Sequence, residues 1–301
     1  MQVSITISGL TRLFGDDLAG VLDTARAADE AGIHQLVLPD HVTIGPGLDG
    51  YPFADRFPFP PEEPWLEPLT ALAAIAGATE RVRIGTGVLI APLRPAVLLA
   101  KTAATLDVLS RGRLDLGVGT GWQPEEFDAL GVRFVGRGAR MDDTVRACRA
   151  LWTQEPPVSF SSGTVSFTDV WCEPRPLQPG GVPVWFGGGP TGATARRVAE
   201  LGAGWLPLGV MPDDQLAAGI GLIRAACEAA GRDPAAVGVR AGIPVVTGDR
   251  GRVDVERTFA PVPALASLGV TSVSLALGRF LRDRADVRPF LEEVGTASAD
   301  R

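Results

Sequence analysis

The chain has 301 residues, and 46% of them are hydrophobic, which is enough to bury the core of one large domain or two small ones. A net charge of −7 without a basic stripe argues against nucleic acid as a partner, and no apolar run reaches the roughly 18 residues of a membrane span. Two histidines and three widely separated cysteines (Cys148, Cys172 and Cys227) provide no metal-ligand spacing, so each cysteine reads as a small core residue.

Met1-Gln2-Val3-Ser4-Ile5 leads straight into a strand-like pattern, with no basic leader or cleavage site, so a cytoplasmic protein is expected. Val3–Ser8 reads as a strand and Asp17–Ala31 as a helix, followed by a strand at Gln35–Leu38. The connection His41–Glu67 is long and rich in Pro, Gly and aromatics. Loops of that length in a compact domain are functional or disordered, and Tyr51, Phe53, Phe57, Phe59 and Trp65 supply more apolar surface than disorder carries, which favours a lid. Pro68–Thr79 (helix), Val82–Ile90 (strand), Ala96–Leu109 (helix), Leu114–Val118 (strand) and Arg140–Trp152 (helix) follow.

Pro157–Trp171 alternates around Ser162-Gly163 and predicts a hairpin outside the main repeat. Strand Val184–Phe186, helix Ala193–Leu201, strand Gly204–Leu206, helix Asp213–Ala230, strand Val237–Val246, helix Val255–Leu268, strand Ser272–Ala276 and helix Phe280–Val294 complete the order. Eight βα units predict an α/β fold of the (β/α)8 TIM-barrel type, with a long loop after strand two and a hairpin before strand five as insertions. An open doubly wound sheet would place a glycine fingerprint after the first strand, where Ser8-Gly9-Leu10-Thr11-Arg12 has none. A single domain over residues 1–295 is expected, with a loose polar tail at 296–301.

Chemistry in such a barrel gathers at the carboxyl ends of the strands. Those ends are Ser8-Gly9, Asp40-His41, Thr86-Gly87-Val88, Gly119-Thr120-Gly121-Trp122 and Gly187-Gly188-Gly189-Pro190-Thr191. They carry many glycines and few charges, without the paired carboxylates or Ser/His/Asp set of a hydrolase. A mouth of this kind suits a cofactor that brings its own chemistry. Gly187–Thr191 reads as a phosphate site at a helix start, with the Thr191 hydroxyl as a donor, and equally as a plain strand–helix turn. A charge at a helix end adds about 0.3–1 kcal/mol when exposed. Micromolar affinity needs about 8 kcal/mol. Most of it must then come from burying a ring, where ~200 Å² at about 25 cal/mol/Å² gives ~5 kcal/mol.

Asp40-His41 also reads two ways, as a loop cap beside a packed histidine or as a donor and proton shuttle at a reactive ring. His34 precedes its strand and reads as structural. Arg137 and Arg140 stand beside Asp142 and Asp143, which favours ion pairing at a helix start over anion recognition. Glu125 and Glu126 follow Pro124 in a first helical turn, where acids stabilise the helix. Trp122, at the mouth itself, is positioned to stack on a ring or wall off a substrate.

The segments LVLPDHV (36–42), RVRIGTGVLIAPLRPAVLLAKTAATLDVLSRGRLDLGVGTGWQPEEFDALGVRF (81–134), RGARMDD (137–143) and VPVWFGGGPTGATARRVAELGAGWLP (182–207) resemble, in order and spacing, the bacterial luciferase-like superfamily and its coenzyme F420-dependent oxidoreductases. The resemblance covers about residues 3–291. It implies a (β/α)8 barrel with a deazaflavin or flavin ring in the mouth, and a homodimer. By similarity Asp40 and His41 face the ring as catalytic residues, and a non-prolyl cis peptide in a bulge of strand three maps to Gly87-Val88. By the same resemblance Gly119–Gly121 and Gly187–Thr191 hold the ribityl chain and phosphate. Thr86, Gly87 and Val88 at the end of strand three are further cofactor candidates, and Trp122 at the mouth with Tyr51 and Phe53 of the long loop are substrate candidates. One branch, the sugar-phosphate dehydrogenases, carries a glutamate after the GVGTG run where this chain has Trp122, which argues against sugar-phosphate oxidation.

The expected function is hydride exchange between C5 of F420 and a small organic substrate, with His41 moving a proton. The alternative is an FMN-dependent monooxygenase that uses reduced flavin and oxygen. A Schiff-base lyase would need a lysine inside the barrel, and the only lysine, Lys101, falls on a helix. A cofactor carrier without turnover would bind F420 and be indifferent to loss of His41.

Overall fold

In the computed structural model, which describes residues 1–52, 57–248 and 251–299, parallel strands follow one another around a ring. They are β1 (Gln2–Thr6), β2 (Gln35–Leu38), β3 (Arg83–Thr86) continued by β4 (Leu89–Ile90), and β5 (Leu114–Gly119). β6 (Val158–Ser161) and β7 (Ser166–Val170) form the antiparallel hairpin outside the ring. β8 (Val184–Gly187), β9 (Gly204–Leu206), β10 (Gly238–Gly242) and β11 (Ser272–Ala276) complete it. β11 pairs with β1, and β3 pairs with both β2 and β5, so the sheet closes on itself. With β3 and β4 as halves of one interrupted strand, this is a (β/α)8 barrel.

The helices are α1 (Leu10–Phe14), α2 (Gly20–Glu30), α3 (Pro68–Ala78), α4 (Ala96–Leu109), α5 (Pro124–Ala129), α6 (Arg137–Thr153), α7 (Gly192–Leu201), α8 (Asp213–Ala229), α9 (Val255–Phe259), α10 (Val262–Leu268) and α11 (Val287–Ala299). Strand periodicity divides the residues between the two faces of the barrel. Val3 and Ile5 of β1 join the apolar core with Ala25 and Ala28 of α2. The alternating Ser4 instead donates to Gln35 Oε1 at 3.1 Å. Gln35 Nε2 in turn donates to Asp115 at 2.6 Å, and Arg83 holds the same carboxylate at 2.7 and 2.9 Å. The barrel interior therefore has a polar, hydrogen-bonded floor at its amino end.

Several elements depart from the sequence reading, among them the strand expected over Val237–Val246, which spans only Gly238–Gly242. The strand expected over Val82–Ile90 is split at the cis Gly87-Val88 bond. The helix expected over Val255–Leu268 breaks at Pro261, which has no N–H to continue it. The last helix starts at Val287 rather than Phe280, after a turn in which Asp283 accepts from the Ala285 N–H. It runs to Ala299, past Thr296 where the sequence suggests a loose tail, and Asp300 and Arg301 lie outside the described residues. Among the described residues no helix is long and apolar enough to cross a membrane.

Candidate active site

A cavity of about 1050 Å³ opens at the carboxyl ends of the strands. One wall is the bulge between β3 and β4. There Val88 is half-buried, and a Cβ at Gly119 would lie 2.5 Å from its Cγ2 while one at Gly187 would lie 2.6 Å from its Cγ1. These two glycines are bare because the Val88 isopropyl group occupies their side-chain space. The alternating glycines of the sequence thus make room first for a protein side chain, which then offers an apolar platform to the cavity. Gly121, at φ 73°, is likewise hemmed in by Ile90 and Phe127 at 2.8 Å. Gly189 differs: a Cβ there would meet nothing within 4 Å, so its backbone lies open.

Gly87, Thr120 and Gly187–Gly189 line the cavity together with Gly119 and Gly121, whereas Thr86, Pro190 and Thr191 do not. Thr86 is buried and its hydroxyl donates to Gly117 O at 2.6 Å, tying β3 to β5. Thr191 caps α7 by accepting from the Thr194 N–H at 3.2 Å, so its oxygen already serves the helix. Pro190 lies beside Gly219 of α8.

Asp40 and His41 end β2 and are both buried at the cavity wall. Both Asp40 oxygens are engaged. Arg94 grips them at 2.6 and 3.0 Å, and the Ile90 N–H donates at 2.7 Å. Burial pushes the Asp40 carboxyl above its ordinary range, and Arg94 with the Ile90 N–H pulls against that push. Arg94 also reaches Glu67 at 3.1 Å, so the start of α3 joins this cluster. Asp40 therefore anchors β4 through both of its carboxylate oxygens.

His41 is held differently. Its Nδ1 lies 3.1 Å from Oε2 of Glu126, a side chain with no solvent exposure. The other Glu126 oxygen accepts the Val42 N–H at 2.7 Å. With Glu126 as the acceptor of this contact, as it is for the Val42 N–H, the ring proton sits on Nδ1. Nε2 then has no protein partner among the described residues. Next to Glu126, the buried Gln123 exchanges hydrogen bonds with Gly45, accepting from its N–H at 2.8 Å and donating to its carbonyl at 3.0 Å. The start of α5 thus holds the base of the long loop. Sequence alone treats Glu126 as a helix-stabilising acid like its neighbour Glu125, because both occupy a first turn and only packing separates them.

The loop folds over His41 as a cluster of rings. Trp65, Phe57 and Trp122 meet the imidazole edge-on at centroid distances of 5.0, 5.2 and 6.0 Å. Tyr51 packs on Phe57 and Trp122 at 5.2 and 5.4 Å, and Phe59 on Trp65 at 5.3 Å. The rings pack on one another and also line the cavity. Burial pushes the Tyr51 phenol up, with Arg279 opposing it. Phe53 lies outside the described residues.

The charges around the cavity are lopsided. Among the described residues its only acidic lining residue is Asp40, taken by Arg94, against Arg137, Arg240, Arg279 and Arg282. Among the described residues the ion pairs expected of Arg137 and Arg140 do not form, because Asp142 pairs with Arg196 and Arg197 of α7. Arg137 instead donates to Gly121 O at 3.1 Å and lies 3.8 Å above the Phe134 ring. An acidic chain with a cationic, aromatic-walled cavity of this size fits a large, flat, phosphorylated group. Lys101 is exposed on α4 and bonds to the Glu173 carbonyl, outside the barrel.

A family model described as luciferase-like monooxygenase matches residues 3–292. An uncharacterized protein of Mycobacterium tuberculosis is 31% identical over 254 residues, 83% of this chain and 84% of that one. The F420-dependent glucose-6-phosphate dehydrogenase of Amycolatopsis mediterranei is 36% identical over 192 residues, 62% of this chain and 52% of its own length. The crystal structure of a monooxygenase from Streptomyces bottropensis superposes with a TM-score of 0.79 at 22% identity, over 98% of both chains.

Proposed function

This chain belongs to the luciferase-like monooxygenase family, and from that premise we propose that it is an oxidoreductase exchanging hydride between coenzyme F420 in the barrel mouth and a small organic substrate. The observation that carries this reading is one cavity holding both an apolar platform, Val88, and a histidine fixed by a buried glutamate. The F420 dependence of the similar Amycolatopsis enzyme supports the choice of cofactor. Trp122, where the sugar-phosphate branch has a glutamate, argues for a different substrate.

When bound, the deazaflavin supplies a ring carbon that gives or takes a hydride. Hydride transfer at a carbinol or carbonyl carbon requires a proton to move at the attached oxygen. His41 Nε2 accepts or returns that proton, and Glu126 keeps the proton of the ring on Nδ1. Asp40, with Arg94, positions β4 and the bulge and is not itself a proton carrier. Val88 would back the ring, Thr120 and the backbone of Gly119–Gly121 would hold the side chain of the cofactor, and Gly188, Gly189 and Arg137 would hold its phosphate. Tyr51, Phe57, Trp65 and Trp122 exclude water and hold apolar parts of the substrate.

Titrating F420 and FMN separately into the protein, followed by fluorescence anisotropy, tests the assignment. The expected result is micromolar binding of F420 and at least about tenfold weaker binding of FMN. The family's description favours a second reading, an FMN-dependent monooxygenase. Tighter FMN binding together with oxygen uptake by the reduced-flavin complex would establish it. Binding of neither cofactor defeats both. A homodimer is part of the same proposal, and light scattering on the purified protein measures it.

A further inference from the structure

At the inner end of the cavity lies a charge that the site above does not use. Arg240 sits two residues below Gly242 on β10 and lines the cavity with Thr6 and Ser274, yet it is only 7% exposed. Its guanidinium lies 4.7 Å from the centroid of the Trp185 ring. Among the described residues it makes no ion pair, and its Nε is buried without an acceptor. The neighbouring carboxylate, Asp115, is already committed, with both oxygens held by Arg83 and one of them also by Gln35. Asp115 thus serves Arg83 and Gln35 and leaves the Arg240 guanidinium without a carboxylate of its own.

Burial pushes the Arg240 guanidinium down to about 10, with Asp115 pulling it up and Arg83 pushing it further down, so it stays charged at neutral pH. A buried charge without its own counter-ion costs stability, and an apolar side chain of similar volume stacked on Trp185 would be cheaper. Ser272, the register partner of Arg240 on β11, also has a buried hydroxyl without a partner. Fold stability does not account for the unpartnered guanidinium of Arg240, whereas a ligand acceptor in the cavity it lines does.

We infer that Arg240, with the hydroxyls of Ser274 and Thr6, forms a subsite for a planar oxyanion, such as the carboxylate of a small ligand, at the inner end of the cavity. The inference rests on the cavity being a ligand site, as proposed above, but not on its redox chemistry. The oxyanion has two sources, a carboxylate on the substrate or the oxygen-bearing edge of a bound cofactor ring, and Arg240 meets the same chemistry in both.

The test uses the full chain with benzoate and its neutral isostere benzamide. Calorimetry is expected to show wild-type protein binding benzoate about tenfold or more tighter than benzamide. Arg240→Met should abolish that preference and Arg240→Lys should retain part of it. Because Arg240→Met removes an unpartnered cation and keeps the contact with Trp185, its thermal midpoint should equal or exceed that of wild type. Equal affinities for the two probes, undetectable benzoate binding, or an Arg240→Met midpoint lower by more than about 5 °C overturns the subsite. Repeating the benzoate titration with saturating F420 or FMN, whichever binds, separates the sources. Undiminished benzoate binding assigns the oxyanion to a substrate, competition assigns it to the cofactor edge, and both sustain the subsite. The cofactor titration described above is independent of this preference, so either proposal can fail alone.

Discussion

Oε2 of Glu126 lies 3.1 Å from His41 Nδ1 while Oε1 of the same carboxylate takes the Val42 N–H at 2.7 Å, so one solvent-free side chain sets both the ring and the backbone that follows it. Glu126→Gln keeps the shape but has one acceptor atom for two donors, leaving one of them short by about 1–3 kcal/mol. The chain has only two histidines, so long-range nitrogen–proton NMR resolves both imidazoles. Wild-type His41 is expected to carry its proton on Nδ1, and Glu126→Gln to show a shifted tautomer balance and a lower thermal midpoint. F420 affinity should stay within about threefold, while turnover falls by about tenfold or more, since general acid–base catalysis contributes on the order of 10²–10⁴. An unchanged imidazole spectrum in the variant would remove Glu126 from its positioning role.

Val88 and Gly119 make a size-complementary pair. Gly119→Ala places a methyl 2.5 Å from Val88 Cγ2, and overpacking of this kind costs about 1–3 kcal/mol. Thermal melts should therefore show Gly119→Ala destabilised and the double variant with Val88→Ala substantially recovered. Equal loss in the single and double variants would mean that the clash lies elsewhere.

Asp29, at the end of α2, holds the chain leading into β3 by accepting the N–H groups of Val82, Arg81 and Glu80 at 2.6, 2.8 and 3.1 Å. Burial raises its carboxyl, but these three donors and Arg81 outweigh it and leave it below the ordinary 3.8. A depressed folded-state value gives stability that is present above the unfolded value and lost as pH falls through the folded one. Because the group is only partly buried, screening limits the ionic part, and Asp29→Asn should cost about 1 kcal/mol at pH 7. The gap in midpoint between wild type and Asp29→Asn should shrink as pH falls below about 3.8. A gap that persists unchanged at pH 3 would show that the hydrogen bonds do not depend on the charge.

Several elements were legible residue by residue. The bounds of β2, α4, β9 and β11 coincide with those read from the pattern of apolar residues and turns. The hairpin of β6 and β7 stands where the residue pattern places it, and the cis peptide at Gly87-Val88 where the family resemblance maps it. The candidate site was less legible. Asp40, His41, Trp122 and Tyr51 were named, and the structure brings them to one cavity, but Arg94 and Arg240 were not, and Glu126 was read only as a helix-stabilising acid. Arg94 meets Asp40 across 54 positions of sequence and Glu126 meets His41 across 85, so no local pattern marks either pair. Thr86, Pro190 and Thr191 were named as cofactor candidates, yet the structure places none of them on the cavity wall.

Local chemistry alone determines the alternation of strand and helix, because side-chain periodicity and turn residues act over a few neighbours. Which glycine is open to a ligand and which is filled by Val88, which acid supports the helix and which holds the histidine, and where a cation is left without a partner depend on residues far apart in the chain. Only closure of the barrel brings those groups within van der Waals and hydrogen-bond range, where forces that fall off over a few ångströms begin to distinguish them.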